Sequence, residues 1–188
     1  MNASRLQNGF MTTQRERATA EAQIRAAMAR FRETATVNPA QWTYRTASDA
    51  WSMADVTEHV AIGNRNIHAL LSRKLLAGVG RGLEAQVIDA EIPYLFYRGE
   101  EPPNVATPTG TWTDRARALL ALDDSFETLL GWCAGVAVDL RTTVLAHPVF
   151  GRLDGIQWLQ YAAAHTERHR AQLIGIRRDP AFPNAAML

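Results

Sequence analysis

The chain is poor in cysteine. Cys133 is the one cysteine among 188 residues, which excludes an internal disulfide framework and a thiolate metal cluster. Free thiols persist in reducing compartments, so we expect a cytoplasmic protein. Because Cys133 lies within an apolar helical pattern, it is interpreted as a core residue.

The chain also lacks a charge excess of either sign. The sequence has twenty basic and nineteen acidic side chains, which gives a formal net charge of +1. Such a balance creates no general field for a nucleic acid or an anionic membrane surface. No basic patch with interleaved aromatic residues occurs either. We therefore expect neither nucleic acid nor membrane as a partner.

Long apolar runs and the common nucleotide and hydrolase motifs are missing as well. No stretch approaches the ~18 apolar residues of a membrane span, and the N-terminus lacks the roughly 7 to 15 apolar residues of a signal peptide. No glycine-rich phosphate loop, G-x-S-x-G elbow or Cys/His dyad is found. We expect a flexible leader at residues 1–12, one domain at residues 13–178 and a tail at residues 179–188.

What the chain has is helical periodicity. Hydrophobic residues make up 47% of the sequence, and four segments repeat them every three or four positions, without a convincing strand pattern. Ser52 with Asp55, Thr113 or Asp114, and Asp154 are candidate caps for the later three segments. The sequence predicts an all-α four-helix bundle. The predicted helices cover residues 14–37, 52–77, 115–140 and 154–177, with a tight loop at residues 146–155.

A proline-rich connection separates the second and third predicted helices. Between Gly78 and Gly110 the prolines forbid a long helix. A connection of this length lets two consecutive helices run parallel, whereas a short loop makes them antiparallel. We expect one long crossover, which either covers one end of the bundle or builds a dimer contact.

Three histidines point toward the predicted core. His165 and His169 are four residues apart on one helix face, and His59 lies on the apolar face of the second helix. An unpaired buried imidazole costs about 1 to 3 kcal/mol, so three of them need a shared explanation. A divalent metal with an open coordination position provides one, and hydrogen-bonded core histidines are the alternative. His68, on the opposite helix face, and His147, in a loop, are not expected to be ligands.

The segment His165-Thr-Glu-Arg-His169 differs from the zinc protease motif. In H-E-x-x-H the glutamate follows the first histidine directly, where Thr166 stands in this chain. Glu167 projects about 200° away from His165 on the helix, toward solvent or another helix. Protease chemistry is therefore not predicted.

Two longer motifs carry a resemblance to a known family. The segments WSMADVTEHV and HPVFGRLDGIQWLQYAAAHTERHRAQL resemble those of the DinB-like (DinB/YfiT) helical-bundle metalloproteins, in particular the DinB_2 branch. The resemblance implies that His59, His165 and His169 bind a divalent metal ion. Nickel or zinc is implied first, with iron, cobalt or manganese as further candidates. It also implies a homodimer, and Trp51 and Trp158 match as packing anchors.

The resemblance further implies a function. Relatives conjugate low-molecular-weight thiols to electrophiles, so we expect a metal-dependent thiol S-transferase of the detoxification or stress type, with a small-molecule thiol and an electrophilic substrate as partners. A hydrolase that uses a metal-bound hydroxide and a non-enzymatic stress-related bundle are the alternatives. No catalytic residue is identified, and solvent or a pocket residue such as Tyr161 could serve as the base.

Overall fold

The computed structural model describes residues 3–78, 80–97 and 106–183, with side chains described for residues 14–74, 77–78, 80–96 and 106–183. This part of the chain forms five α-helices, two 3-10 helices and a two-stranded hairpin. In chain order they are α1 (Ala3–Thr34), α2 (Pro39–Trp42), α3 (Met53–Leu76), a 3-10 helix (Asp89–Tyr97), α4 (Arg115–Gly135), a 3-10 helix (Leu140–Thr142), β1 (Val144–His147), β2 (Gly151–Asp154) and α5 (Gly155–Arg177).

The four long helices pack as a bundle, as predicted. Helix α1 contacts α4 and α5, and α3 contacts the same two helices. The buried apolar positions of all four helices, which the periodicity had marked, merge into one core. Among the described residues, none of the helices combines the length and the apolarity needed to span a lipid bilayer. Large core side chains from the four helices include Ile24, Phe31, Leu71, Leu122, Phe126, Leu129, Leu159 and Leu173.

Side-chain contacts fix the direction of α4. Asn64 donates to Ser125 and His68 lies against Trp132, so positions advance together along α3 and α4 and the two helices are parallel. The connection between them must therefore return along the length of the bundle. The predicted crossover is confirmed.

The crossover is held against the start of α5 by an arginine. Arg141 donates to the carboxylates of Glu16, Asp89 and Asp154, which belong to α1, the crossover and the N-cap of α5. These carboxylates raise the pKa of the Arg141 guanidinium, with the hydrogen bond to Asp89 as the largest cause. A charged network that links three elements fixes the path of the crossover over α5.

Both histidine-bearing helices begin with a capping box. Ser52 and Asp55 exchange hydrogen bonds at the start of α3, from Ser52 N to Asp55 Oδ2 at 2.8 Å and from Asp55 N to Ser52 Oγ at 3.2 Å. Asp154 and Gln157 do the same at the start of α5. These reciprocal bonds satisfy backbone donors that the first turn leaves unpaired, and they fix where each helix starts. The caps predicted at Ser52, Asp114 and Asp154 are confirmed.

Two predicted boundaries need correction. Helix α1 begins at Ala3, well before Gln14. Helix α4 ends at Gly135 rather than near Arg141, because the chain becomes extended at Val136, where the backbone φ is −74° and ψ is 127°. Apolar periodicity continues past this point, but the helix does not.

The segment predicted as a tight loop is a hairpin. Strands β1 and β2 pair antiparallel, from Val144 opposite Asp154 to His147 opposite Gly151. Four-residue strands are too short to show an alternating pattern above background, which explains why this hairpin was not predicted. The division into leader, domain and tail stays a prediction, and residues 1–2 and 184–188 lie outside the described residues.

Candidate metal centre

The structure brings His59 of α3 together with His165 and His169 of α5. The Nε2 atoms of His59 and His169 each lie 3.1 Å from Nε2 of His165. His165 and His169 are buried, and His59 is partly buried. The three residues form a group that could hold a metal ion.

The hydrogen bonds of Nδ1 in His59 and His169 show which nitrogen of each ring carries the proton. His59 Nδ1 lies 2.8 Å from the carbonyl oxygen of Ala106, and His169 Nδ1 lies 2.9 Å from Oε1 of Gln172. A carbonyl oxygen only accepts, so each Nδ1 carries the proton and donates it. The Nε2 atoms of His59 and His169 are then unprotonated, which is the state of a metal ligand whose second nitrogen is held by a hydrogen bond.

Hydrogen bonding among the three rings cannot satisfy this arrangement. Nε2 of His165 can carry at most one proton, so it can donate to His59 or to His169 but not to both. At the other contact, the lone pair of the neighbouring Nε2 then faces the His165 nitrogen at 3.1 Å with no proton between them, which is repulsive. Moreover, His165 Nδ1 is buried and has no hydrogen-bond partner among the described residues. A cation at the centre of the three Nε2 atoms removes this repulsion.

The nitrogen separations fit a metal ion. Two nitrogens at about 2.0 to 2.1 Å from one ion are about 2.9 Å apart at a right angle and about 3.3 Å apart in a tetrahedron. The observed separations of 3.1 Å fall between these values. These two separations therefore need no large change for one ion to be coordinated.

Burial keeps the imidazoles neutral. Desolvation, together with the neighbouring imidazoles, lowers the pKa of His169 to about 3 and that of His165 well below its ordinary value. Desolvation also lowers the pKa of His59, partly opposed by the hydrogen bond to Ala106. Neutral imidazole is the form that binds metals, so protons compete weakly for this site.

A cavity of about 670 Å³ opens beside the three rings. Its walls are largely aromatic and apolar, and Trp51 lies next to His59 with ring centroids 4.9 Å apart. Trp51 and Trp158 are therefore part of the cavity wall as well as packing residues. The crossover contributes to this wall through Phe96 and Ala106, so it covers the site side of the bundle.

The other residues considered in the sequence occupy distinct places. Glu167 pairs with Arg30 of α1 and Arg170, away from the three histidines, as expected from its angle on the helix. Cys133 is buried in the core, where burial raises the pKa of its thiol to about 12. His68 lies against Trp132 and is not part of the histidine group.

Three neighbours of the site were not singled out from the sequence. Gly63 follows His59 by one helical turn, and a Cβ there would lie 3.2 Å from Cε1 of His165. An isolated glycine within a helical pattern was the available signal, since glycine costs helix stability relative to alanine. The partners Ala106 and Gln172 gave no comparable signal, because a backbone carbonyl can come from any residue.

The structure corrects the surroundings of His147. The sequence predicted a loop residue that is not a ligand, whereas His147 ends β1, is buried and lines the same cavity as the three histidines. It is not part of the group that could hold a metal. Its Nδ1 instead accepts the backbone N–H groups of Val149 and Phe150, both at 3.2 Å.

Bundle and histidine group together define a four-helix protein with a candidate metal centre between two helices. The chain belongs to the DinB superfamily, because the DinB_2 family model matches residues 23–173. The predicted resemblance is thus confirmed at the level of the family.

Comparison with solved structures supports the fold. The chain is similar to TT2238, described as a four-helix bundle protein, with a TM-score of 0.56 and 21% sequence identity. The similarity covers 85% of this chain and 98% of that chain. No curated protein matches the sequence.

Proposed function

We propose that the protein binds a divalent metal ion through His59, His165 and His169 and transfers a low-molecular-weight thiol to an electrophilic small molecule. The observation that carries the proposal is the convergence of three Nε2 atoms, two of them with their lone pairs fixed by outer hydrogen bonds. Nickel or zinc is the proposed metal. A homodimer in the cytoplasm is the proposed state.

The cavity supports transfer over hydrolysis. Metal-dependent hydrolases commonly place a carboxylate beside the metal to accept a proton from water. Among the described residues that line the cavity there is no aspartate or glutamate. Apolar walls and a volume of about 670 Å³ suit small organic molecules better than water alone.

In the proposed reaction the thiol sulfur forms a bond to the electrophilic carbon. A divalent ion in the site would lower the pKa of an incoming thiol and so supply a thiolate at neutral pH. The thiol proton passes to solvent, and the leaving group departs with the electron pair of the broken bond. The aromatic walls hold the electrophile and exclude bulk water.

Tyr161 is a poor candidate for the base. Burial raises the pKa of its hydroxyl to about 12, so the hydroxyl stays protonated at neutral pH. It can donate a hydrogen bond to a bound ligand, but it does not readily accept a proton. Solvent is therefore the proposed proton acceptor.

Metal content and thiol-dependent turnover test the proposal together. Protein purified without chelator should hold close to one divalent ion per chain, as measured by elemental mass spectrometry. With 1-chloro-2,4-dinitrobenzene it should release chloride only when a thiol such as mycothiol, bacillithiol or cysteine is added. Absence of metal contradicts the proposed site, and turnover of ester substrates without thiol indicates a hydrolase instead. Bound metal without either turnover indicates the non-enzymatic bundle.

Replacing Gly63 by alanine should affect stability and metal binding in opposite directions. Alanine favours a helix interior over glycine by up to about 1 kcal/mol, whereas the new Cβ, 3.2 Å from His165, pushes the ring out of position. We expect unchanged or higher thermal stability and several-fold weaker cobalt(II) binding, followed in the cobalt absorption spectrum. Gly131 of α4 is a matched control, because a Cβ there meets nothing within 4 Å. Equal cobalt affinity in Gly63→Ala and wild type would show that the ring tolerates the contact.

A further inference from the structure

The cavity beside the histidine group carries an unbalanced positive charge. Arg168 is the one formally charged side chain among the described residues that line it. The described ion pairs of α5 involve Glu167 and Arg170, and none pairs Arg168 with a carboxylate. With a divalent ion at the three imidazoles, the cavity would hold three positive charges and no negative one. Such a site favours an anionic ligand.

Arg168 is held in place while most of its donors stay available. One Nη atom donates to the carbonyl oxygen of Phe96 at 3.0 Å, and the guanidinium carbon lies 5.4 Å from the centre of the Phe96 ring. A guanidinium has five N–H donors, so these contacts orient the group without exhausting it.

A second donor in the cavity points to the same kind of ligand. Because Nδ1 of His147 accepts two backbone N–H groups, the proton of this ring is on Nε2. No hydrogen-bond partner of Nε2 occurs among the described residues, and the ring lines the cavity. His147 therefore offers an N–H group, in contrast to His59 and His169, whose Nε2 atoms offer lone pairs. An oxyanion is the kind of ligand that can accept a hydrogen bond from either residue.

We propose that Arg168 binds a carboxylate of the small molecule held in the cavity, and that the ligand class is a carboxylate with an apolar or aromatic body. The planar guanidinium matches a carboxylate through two parallel hydrogen bonds. The body would contact Trp51, Phe96 and Trp158, which line the same space. This inference rests on the proposed function and specifies its substrate class. The carboxylate could belong to the electrophile or to the thiol.

Paired probes separate these two sources. Comparing the affinities for benzoate and benzamide tests a carboxylate on a molecule without a thiol. Comparing 3-mercaptopropionate with 3-mercaptopropionamide tests a carboxylate on the thiol. Binding is measured by calorimetry on the full chain, with and without cobalt(II). We expect at least one carboxylate to bind more tightly than its amide. Metal-free protein should keep this preference, because it depends on Arg168 rather than on the metal.

Variants of Arg168 show whether the preference comes from this residue. Arg168→Gln should weaken binding of the preferred carboxylate about 10- to 100-fold, leave the amide unaffected and keep cobalt(II) affinity. Arg168→Lys should lose less affinity for the carboxylate, since lysine keeps the positive charge but lacks the paired donors of arginine. Arg170→Gln is the matched control, because Arg170 pairs with Glu167 outside the cavity.

The outcomes separate this inference from the proposed function. Wild-type protein without any preference for carboxylates, or an Arg168→Gln variant that retains the preference, overturns the inference while cobalt(II) binding stands. If the wild type binds no cobalt(II) or other divalent ion but prefers carboxylates through Arg168, the proposed metal-dependent function fails and the anion site remains. Circular dichroism and thermal melting of each variant confirm that the bundle is folded.

Discussion

Replacing His165 by alanine should abolish stoichiometric metal binding. His165 is the central residue of the group, since its Nε2 lies 3.1 Å from both other Nε2 atoms. Loss of a residue that only supports a ligand weakens metal affinity by about 10- to 100-fold, and loss of a ligand should cost more. We expect one divalent ion per chain in wild type and almost none in the variant after dialysis. Metal content and cobalt(II) titration measure the effect.

The same variant should lose the stabilisation that the metal provides. A ligand that binds only the folded state stabilises it in proportion to the logarithm of its concentration over Kd, about 2.7 kcal/mol at 100 times Kd. Wild-type protein should therefore melt at a higher temperature with zinc than with chelator, whereas His165→Ala should melt at the same temperature in both. His68→Ala is the control, because His68 is outside the histidine group. A zinc-dependent shift in His165→Ala equal to that of wild type would mean that the metal binds elsewhere.

The elements that determine the fold could be predicted from the sequence, because each depends on residues that are close along the chain. Ser52 with Asp55, and Asp154 with Gln157, cap helices through bonds that span three positions. The crossover followed from chain length and proline content. These interactions join residues that are close in the sequence, so the sequence alone predicted the bundle and the parallel arrangement of α3 and α4.

The parts of the site that depend on tertiary packing could not be predicted from the sequence. The carbonyl of Ala106 reaches His59 only because the crossover returns along the bundle, across a sequence separation of 47 residues. Likewise, the cavity position of His147 depends on a hairpin too short to be seen as a pattern. The three imidazoles could be predicted as a set because helical spacing and the family motifs marked them. Their hydrogen-bonded surroundings required the structure.

Acidification should destabilise the metal-free protein through its buried histidines. In the unfolded chain a histidine takes up a proton near pH 6.5, whereas burial lowers the pKa of His169 to about 3 and that of His147 to about 4. Between these values the unfolded state binds more protons than the folded state, so stability decreases as the pH falls from about 6.5. At pH 4 the buried His169 alone should cost on the order of 3 kcal/mol.

Urea unfolding in the presence of chelator, at pH 7.5, 5.5 and 4.5, measures this effect. Carboxylates also contribute to acid unfolding, so the informative quantity is the difference between wild type and His169→Gln. The variant has no imidazole to protonate at this position, and its free energy of unfolding should therefore fall less steeply with acid. Parallel pH profiles for the two proteins would contradict the prediction, because they would mean that His169 is protonated as readily in the folded state as in the unfolded one. With zinc bound, protons must displace the ion before the rings can be protonated, so we expect metal release to accompany unfolding in the same pH range.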